Sequence, residues 1–426
     1  MNQPPSLDAP ARAQDAVNHD RLQASIAALA AFGGRADGGV SRETLTDIDL
    51  ASRRHLVDQA RALGCEVMID DCANLFFRRP GRDNALPAVL TGSHGDTQPV
   101  GGKLDGAYGV LAGLETIAAL NDAGIETLRP IEVVAWTNEE GSRFGPGAMG
   151  SSAFVDPSRL PGYLGSTDKD GVRFGDALQT ALAQAPGLPR CAMQRPLSAC
   201  VELHIEQGPV LERAGIPLGV VTGIQAVRWF TVSCHGVMAH AGTTPMDERR
   251  DAMAAAMPLA QKLYDYAASQ SATQLRLTLG RWQVTPNSVN TIPGRVDFTV
   301  DMRCLDDGVL DGFEAFLHAQ VAASQGAVTI ERFFQRAPTH FPRPMLDLIQ
   351  EAAGRASARA GLPAPLALTS GAFHDAMYLA DHCPTAMIFV PSEKGISHNA
   401  AEATAPRDLF LGAQALAYTV TALANR

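Results

Sequence analysis

The sequence predicts an α/β protein: a sheet of mostly parallel strands covered by helices, with a second, smaller α+β domain inserted into it. Two observations carry this. First, short and almost continuously apolar runs end in polar, glycine-containing loops and alternate with segments of helical periodicity, as buried parallel strands and their crossover helices do. Second, the rhythm changes between residues 225 and 337. There, strands with alternating apolar residues and two helices follow the order β-α-β-β-α-β, the ferredoxin-like split unit. A chain of 426 residues also exceeds what one simple core serves, so two domains are expected. The boundaries read as 19–224 with 338–426 for the first domain and 225–337 for the inserted one.

Taken in order, the residues up to about Asn18 are rich in Pro, Ala and polar groups and are expected to be disordered. "PAVLTGSH" predicts a strand over 88–91, with His94 just beyond it. "GAYGVLAGLETIAALNDAG" predicts a helix, because Val110, Leu111, Leu114, Ile117 and Leu120 recur at helical spacing. "IEVVAWTNEEG" predicts a strand over 131–136 that leads into Glu139 and Glu140. "ACVELHIEQG" predicts a strand near 200–205 carrying His204. "TAMIFVPSEKGISHNAAE" predicts a strand over 386–390 with His398 on the following loop. In the inserted segment, "RWFTVSCHG", "TQLRLTLGRWQV", "GRVDFTVDMRC" and "AVTIERFF" read as strands. "RRDAMAAAMPLAQKLYDYAASQ" and "DDGVLDGFEAFLHAQVAASQG" read as its helices.

Composition narrows the function classes. With 46% hydrophobic and 19% charged residues the chain is ordinary for a globular protein. A formal net charge of −10 argues against a nucleic-acid partner, which needs a basic face. The seven cysteines form no CxxC pair and read as free thiols of a reducing compartment. The first residues have no apolar core of a secretory signal, and no run approaches 18 apolar residues. A cytoplasmic protein without membrane contact is expected.

Three histidines, one aspartate and two adjacent glutamates fall at strand ends or in the loops that follow: His94, Asp105, Glu139, Glu140, His204 and His398. Ligands of α/β sheets bind beyond the carboxyl ends of the strands. Imidazole and carboxylate suit zinc and similar divalent ions. Any one of these residues alone is ordinary: a turn histidine, a glycine turn, a solvated acidic pair. As a set they fit two metals bridged by one carboxylate, with one glutamate left over as a base.

Six longer motifs then resemble a known family: "GSHGDTQPVGGKLDGAYGVLAGLE", "WTNEEGSRF", "VELHIEQGPVLE", "HAGTTPM", "PNSVNTIPGRVDFTVDMR" and "ISHNAAE". Together they resemble the metal-dependent amidohydrolases of the M20 peptidase clan. The branch they resemble holds N-carbamoyl-L-amino-acid hydrolases, β-ureidopropionases and allantoate amidohydrolases. The resemblance runs from about Leu22 to the C-terminus. It implies a zinc-peptidase-like catalytic domain with an inserted dimerisation or lid domain. It also implies two divalent ions per subunit, zinc first, with manganese, cobalt or nickel as alternatives.

The resemblance places roles on matching residues. Asp105 would bridge both ions; Glu140 and His398 would complete one, and His94 and His204 the other. Glu139 would be the general base, and Asp96 a carboxylate that orients the His94 imidazole. His240 would supply a donor to the oxyanion from the other subunit of a homodimer. Arg303 would grip a substrate carboxylate, with Asn290, Gln207 and His374 as further substrate-binding residues and Arg228 as an alternative to Arg303. The sequence departs from the family pattern at Gly95, Ala239 and Phe373, none of them an implied ligand.

The implied reaction is hydrolysis of the carbamoyl C–N bond of an N-carbamoyl-L-amino acid or N-carbamoyl-β-alanine to the amino acid, CO2 and ammonia. Allantoate hydrolysis and an aminoacylase- or dipeptidase-like activity are the alternatives within the clan. A non-catalytic dimeric binding protein is the alternative outside enzymes.

Overall fold

Four strands run parallel through the middle of the main sheet, in the order Ile131–Trp136, Ala88–His94, Leu197–Ile205 and Thr385–Val390. The computed structural model describes residues 8–185, 187–270 and 275–426. The chain forms two units: one runs up to Thr222 and resumes at Phe341–Arg426, and the other is Gly223–His340.

In the first unit the parallel strands are flanked by antiparallel neighbours. Leu75–Arg79 lies beside Ile131–Trp136 with Glu66–Ile69 beyond it, and Gly219–Ile224 lies beside Thr385–Val390. Ala88–His94, Ile131–Trp136 and Thr385–Val390 are buried along their whole length, which is why they read as unbroken apolar runs. Helix Ala107–Asp122 connects the first two of these and is itself buried from Ala107 to Leu120. The chain thus moves from Ala88–His94 to one side, while Leu197–Ile205 takes the other side. The change of direction opens a crevice at the carboxyl ends of these two strands.

Two expectations for this unit need correction. His94 is the last residue of its strand and not a residue beyond it. The segment before Asn18 is not disordered where it is described, because Ala9–Ala16 is a helix. Pro10 suits its first turn, Ala9, Ala13 and Gln14 are buried, and the helix packs on the C-terminal helix Pro406–Ala424. Gln14 Nε2 donates to Ala352 O at 3.1 Å, and Arg359 pairs with Asp15.

The inserted unit is a sheet ordered Trp282–Thr285, Arg295–Cys304, Ala226–His235, Val328–Arg336, with antiparallel neighbours throughout. This is the strand order of the ferredoxin-like unit. Along Arg295–Cys304 the residues Val296, Phe298, Val300, Met302 and Cys304 are buried and their neighbours are not, so period-two patterning puts one face on a core. Helices Ala252–Ser269 and Asp307–Ala323 cover that face, with Phe230, Phe298, Phe313 and Leu317 in the core. Full burial of such a side chain is worth about 1.5–3 kcal/mol.

The stretch expected as one strand over "TQLRLTLGRWQV" is two, Arg276–Thr278 and Trp282–Thr285; Thr273 and Gln274 lie outside the described residues. Both pieces pair with Arg295–Cys304. One extra residue lies between the pairs Thr278–Asp301 and Trp282–Phe298, and such a bulge breaks the ladder. All seven cysteines are free, and among the described residues no helix is long and apolar enough to cross a membrane.

Candidate metal centre

The carboxyl ends of the parallel strands deliver His94, Glu139, Glu140 and His204 to one place, and the loops after them deliver Asp105 and His398. Asp105 stands at the centre. Its Oδ1 lies 3.1 Å from His204 Nε2 and 3.8 Å from His94 Nε2. Its Oδ2 lies 3.2 Å from His398 Nε2, which is in turn 3.4 Å from Glu140 Oε2. Glu139 Oε2 lies 3.4 Å from His94 Nε2.

These spacings suit divalent ions. Ligand atoms about 2.0–2.2 Å from a tetrahedral ion stand roughly 3.3–3.5 Å apart. Two groups qualify, His94–Asp105–His204 and Asp105–Glu140–His398, with donor atoms within 4.8 Å of one another. Asp105 belongs to both. Glu140 Oε1 is buried and has no hydrogen-bond partner among the described residues, an orphan that a cation would satisfy. A third group, Glu202–His204–His374, fits less well. Glu202 already accepts from Ser93 Oγ at 2.6 Å and Ala376 N at 2.9 Å, and His374 Nε2 meets Ser370 Oγ at 2.9 Å. That group is a hydrogen-bonded support behind His204.

The imidazoles are fixed by what lies behind them. His94 Nδ1 faces the carbonyl of Asp96 at 2.9 Å and His204 Nδ1 the carbonyl of Ile205 at 2.9 Å. A carbonyl can only accept, so Nδ1 carries the proton and Nε2 is turned towards Asp105. Asp96 therefore acts differently from expectation. Its backbone carbonyl orients His94, while its carboxylate lies 3.6 Å from that ring. The carboxylate instead accepts the N–H groups of Glu139 and Glu140 at 3.3 Å each, tying the glutamate turn to the His94 loop. Arg42, almost fully buried, pins the same loop by donating Nε to Gly95 O at 2.7 Å.

Electrostatics follow from burial and crowding. Burial lowers the His94 imidazole to about 4. Burial also opposes charge on His204, yet its hydrogen bond to Asp105 and the nearby carboxylates carry it to about 9. The hydrogen bond to Asp105 carries His398 to about 9 as well. Burial, then the charges of Asp375 and Glu140, push Glu139 well above the usual carboxylate range, and burial with Asp105 takes Glu140 to about 8.

Gln207 and His374 are also in this unit. Gln207 Nε2 donates to Asp105 Oδ2 at 2.9 Å, so it touches the central carboxylate itself. His374 is buried with its ring 4.6 Å from that of His204.

The remaining expected residues lie in the inserted unit. His240 forms a two-residue strand pair with Thr291, next to Asn290, and is exposed. Its Nδ1 accepts the Gly242 N–H at 3.1 Å, so in the neutral ring Nε2 carries the proton. Asn290 O accepts the Ala241 N–H at 3.0 Å. Arg303 forms a forked pair with Asp301, Nη2 to Oδ2 at 2.8 Å and Nε to Oδ1 at 3.1 Å. Arg228 is buried and enclosed by Asp307, Asp311 and Glu314, each at 2.6 Å. It is committed to helix Asp307–Ala323, which removes it as an alternative to Arg303.

Several residues around the centre had no assigned role in the sequence. Gln98 Nε2 donates to Glu140 Oε2 at 2.7 Å. Ser397 and Glu402 sit beside Asp105, Glu202 supports His204, and Asp375 faces Glu139 electrostatically. All but Asp375 lie inside a motif already singled out, but spacing alone does not tell which member of a loop points inward.

Known proteins resemble this chain over nearly its whole length. The chain is 38% identical to an N-carbamoyl-L-amino acid amidohydrolase of Geobacillus stearothermophilus, covering 96% of this chain and 99% of that one. It is 34% identical to an allantoate amidohydrolase of Bacillus subtilis, covering 91% and 93%. It matches the crystal structure of an amidase of the hydantoinase/carbamoylase family from Burkholderia multivorans with a TM-score of 0.86 and 43% identity, covering 96% and 98%. Residues 90–422 match the family profile, and the chain belongs to peptidase family M20/M25/M40.

Proposed function

We propose that this protein hydrolyses the carbamoyl C–N bond of N-carbamoyl-L-amino acids or N-carbamoyl-β-alanine. One water is consumed, and the amino acid, CO2 and ammonia are released. The observation that carries this reading is Asp105, whose two oxygens face His204 and His398 from opposite sides of one carboxylate. The likeness to amidohydrolases over nearly the whole chain supports it.

In this reading His94, Asp105 and His204 would hold one divalent ion, and Asp105, Glu140 and His398 the other. Zinc is the first choice, because imidazole and carboxylate suit it; manganese, cobalt or nickel would also be held. When bound, such ions would supply Lewis-acid chemistry to the substrate carbonyl and make a water more acidic. Glu139 would take a proton from the attacking water and later give one to the leaving nitrogen. Burial and the charges of Asp375 and Glu140 raise the proton affinity of its carboxyl.

The roles in the inserted unit rest on the resemblance of "HAGTTPM" and "VDFTVDMR". His240 of the partner subunit of a homodimer offers Nε2–H to the oxyanion. Arg303 exchanges Asp301 for the substrate carboxylate, with Asn290, Gln207 and His374 as polar neighbours of the substrate. The free thiols fit a cytoplasmic enzyme.

Allantoate hydrolysis is the second reading, favoured by the 34% identity to an allantoate amidohydrolase. The test is metal content measured together with ammonia release. The protein stripped by a chelator should release no ammonia from an N-carbamoyl-L-amino acid and should recover on adding two equivalents of Zn2+. Two bound ions with no ammonia release from any ureido acid would contradict the enzymatic reading.

A further inference from the structure

We infer that Glu402 is a positioning residue for the metal centre, holding Asp105 in place between the two ion groups. The inference rests on the reading that Asp105 binds metal.

Glu402 comes from the loop after His398 and meets a segment 298 positions earlier in the chain. Its Oε1 accepts the N–H of Leu104 at 2.9 Å and the N–H of Asp105 at 3.1 Å. Its Oε2 accepts from Ser397 Oγ at 3.0 Å, and the same hydroxyl lies 3.1 Å from Asp105 Oδ2. One carboxylate thus fixes the backbone of Asp105 and also the hydroxyl that faces its side chain. Glu402 is 4% exposed and forms no ion pair among the described residues. A buried carboxylate without a cation partner is costly, and these hydrogen bonds are what hold it.

Gly102 gives an independent sign that this contact shapes the loop. A Cβ built on Gly102 would fall 2.0 Å from Glu402 Oε1 and 2.1 Å from its Cδ. Any side chain there would drive the carboxylate off the Asp105 backbone. The second glycine of "VGGKLDG" is therefore explained by Glu402, far along the chain, and not by a turn of its own.

Groups that orient metal ligands typically change affinity 10–100-fold when removed. The experiment is calorimetric titration of Zn2+ into chelator-stripped protein, with thermal unfolding of the stripped proteins alongside. Glu402→Ala should weaken both binding events by about tenfold or more, and Gly102→Ala should do the same. Glu402→Gln should recover part of the loss, because an amide oxygen still accepts the two N–H groups. Ser397→Ala removes one hydroxyl without disturbing the backbone. It should weaken chiefly the event on the His398 side, where Oδ2 points. Two ions in the wild type, with Glu402→Ala and Ser397→Ala both within twofold of it, would overturn the inference alone. A wild type that takes up fewer than two ions would contradict the proposed function, and this inference with it.

Discussion

Gly106 and His94 share one space: a Cβ on Gly106 would lie 2.3 Å from Nε2 of His94, the atom turned towards Asp105. Gly106 also has φ +64 with ψ −51, a conformation that favours glycine. Gly106→Ala should therefore lose one ion and most of the turnover. Gly124→Ala is the control, since Gly124 has φ +62 but open space around its Cβ position. It should keep two ions. Metal content of the two variants by mass spectrometry checks this, and equal content in both would remove His94 from the ion groups.

Glu139→Gln separates the two adjacent glutamates. The amide is nearly isosteric and Glu139 is outside both ion groups, so both ions should stay. Turnover should fall by roughly 10²–10⁴-fold, the usual worth of a general base. Loss of an ion in this variant, or a kcat near normal, would mean that Glu139 and Glu140 have been exchanged.

His240 tests the homodimer. Glu139→Gln and His240→Ala should each be nearly inactive alone. If His240 completes the neighbour's site, a mixed dimer gathers both lesions in one site and leaves the other intact. Mixing the two variants should then restore part of the activity. No recovery under demonstrated subunit exchange would count against a role for His240 across the dimer.

Much of the centre was legible because strand ends announce themselves. Buried parallel strands are unbroken apolar runs, and the polar residue that stops each run is delivered to the carboxyl edge of the sheet. His94, Glu139, Glu140 and His204 were found this way. What stayed hidden depends on partners distant in sequence or on backbone atoms. Helix Ala9–Ala16 looks polar and short by itself; its burial comes from contacts such as Gln414 Nε2 to Gln14 O, 400 residues apart. Glu402 carries no periodic signal and meets Asp105 only in the fold. Asp96 sits where a carboxylate was expected to hold His94, but its carbonyl does so, and a sequence does not distinguish the two.

Arg303 tests how the substrate is gripped. It already forms a fork on Asp301, so the guanidinium is held in the geometry that matches a carboxylate. Arg303→Ala should raise KM sharply, with a cost on the order of 2–5 kcal/mol where bound substrate covers the charge pair. Arg303→Lys should recover only part, since lysine lacks the planar fork. An N-carbamoyl amino amide should be a poor substrate for the wild type and lose little more in Arg303→Ala. Kinetics within about twofold of wild type, under 0.5 kcal/mol, would remove Arg303 from substrate binding.

The central claim is that the centre serves the carbamoyl group of an N-carbamoyl amino acid, and a substrate panel tests it most directly. N-carbamoyl-L-amino acids, N-carbamoyl-β-alanine, allantoate and dipeptides would be compared by kcat/KM with the Zn2+-loaded protein. The highest value should fall to an N-carbamoyl-L-amino acid or N-carbamoyl-β-alanine, at least about tenfold above allantoate and every dipeptide, a gap of about 1.4 kcal/mol in transition-state stabilisation. A kcat/KM for allantoate or a dipeptide that exceeds all the N-carbamoyl amino acids would contradict it.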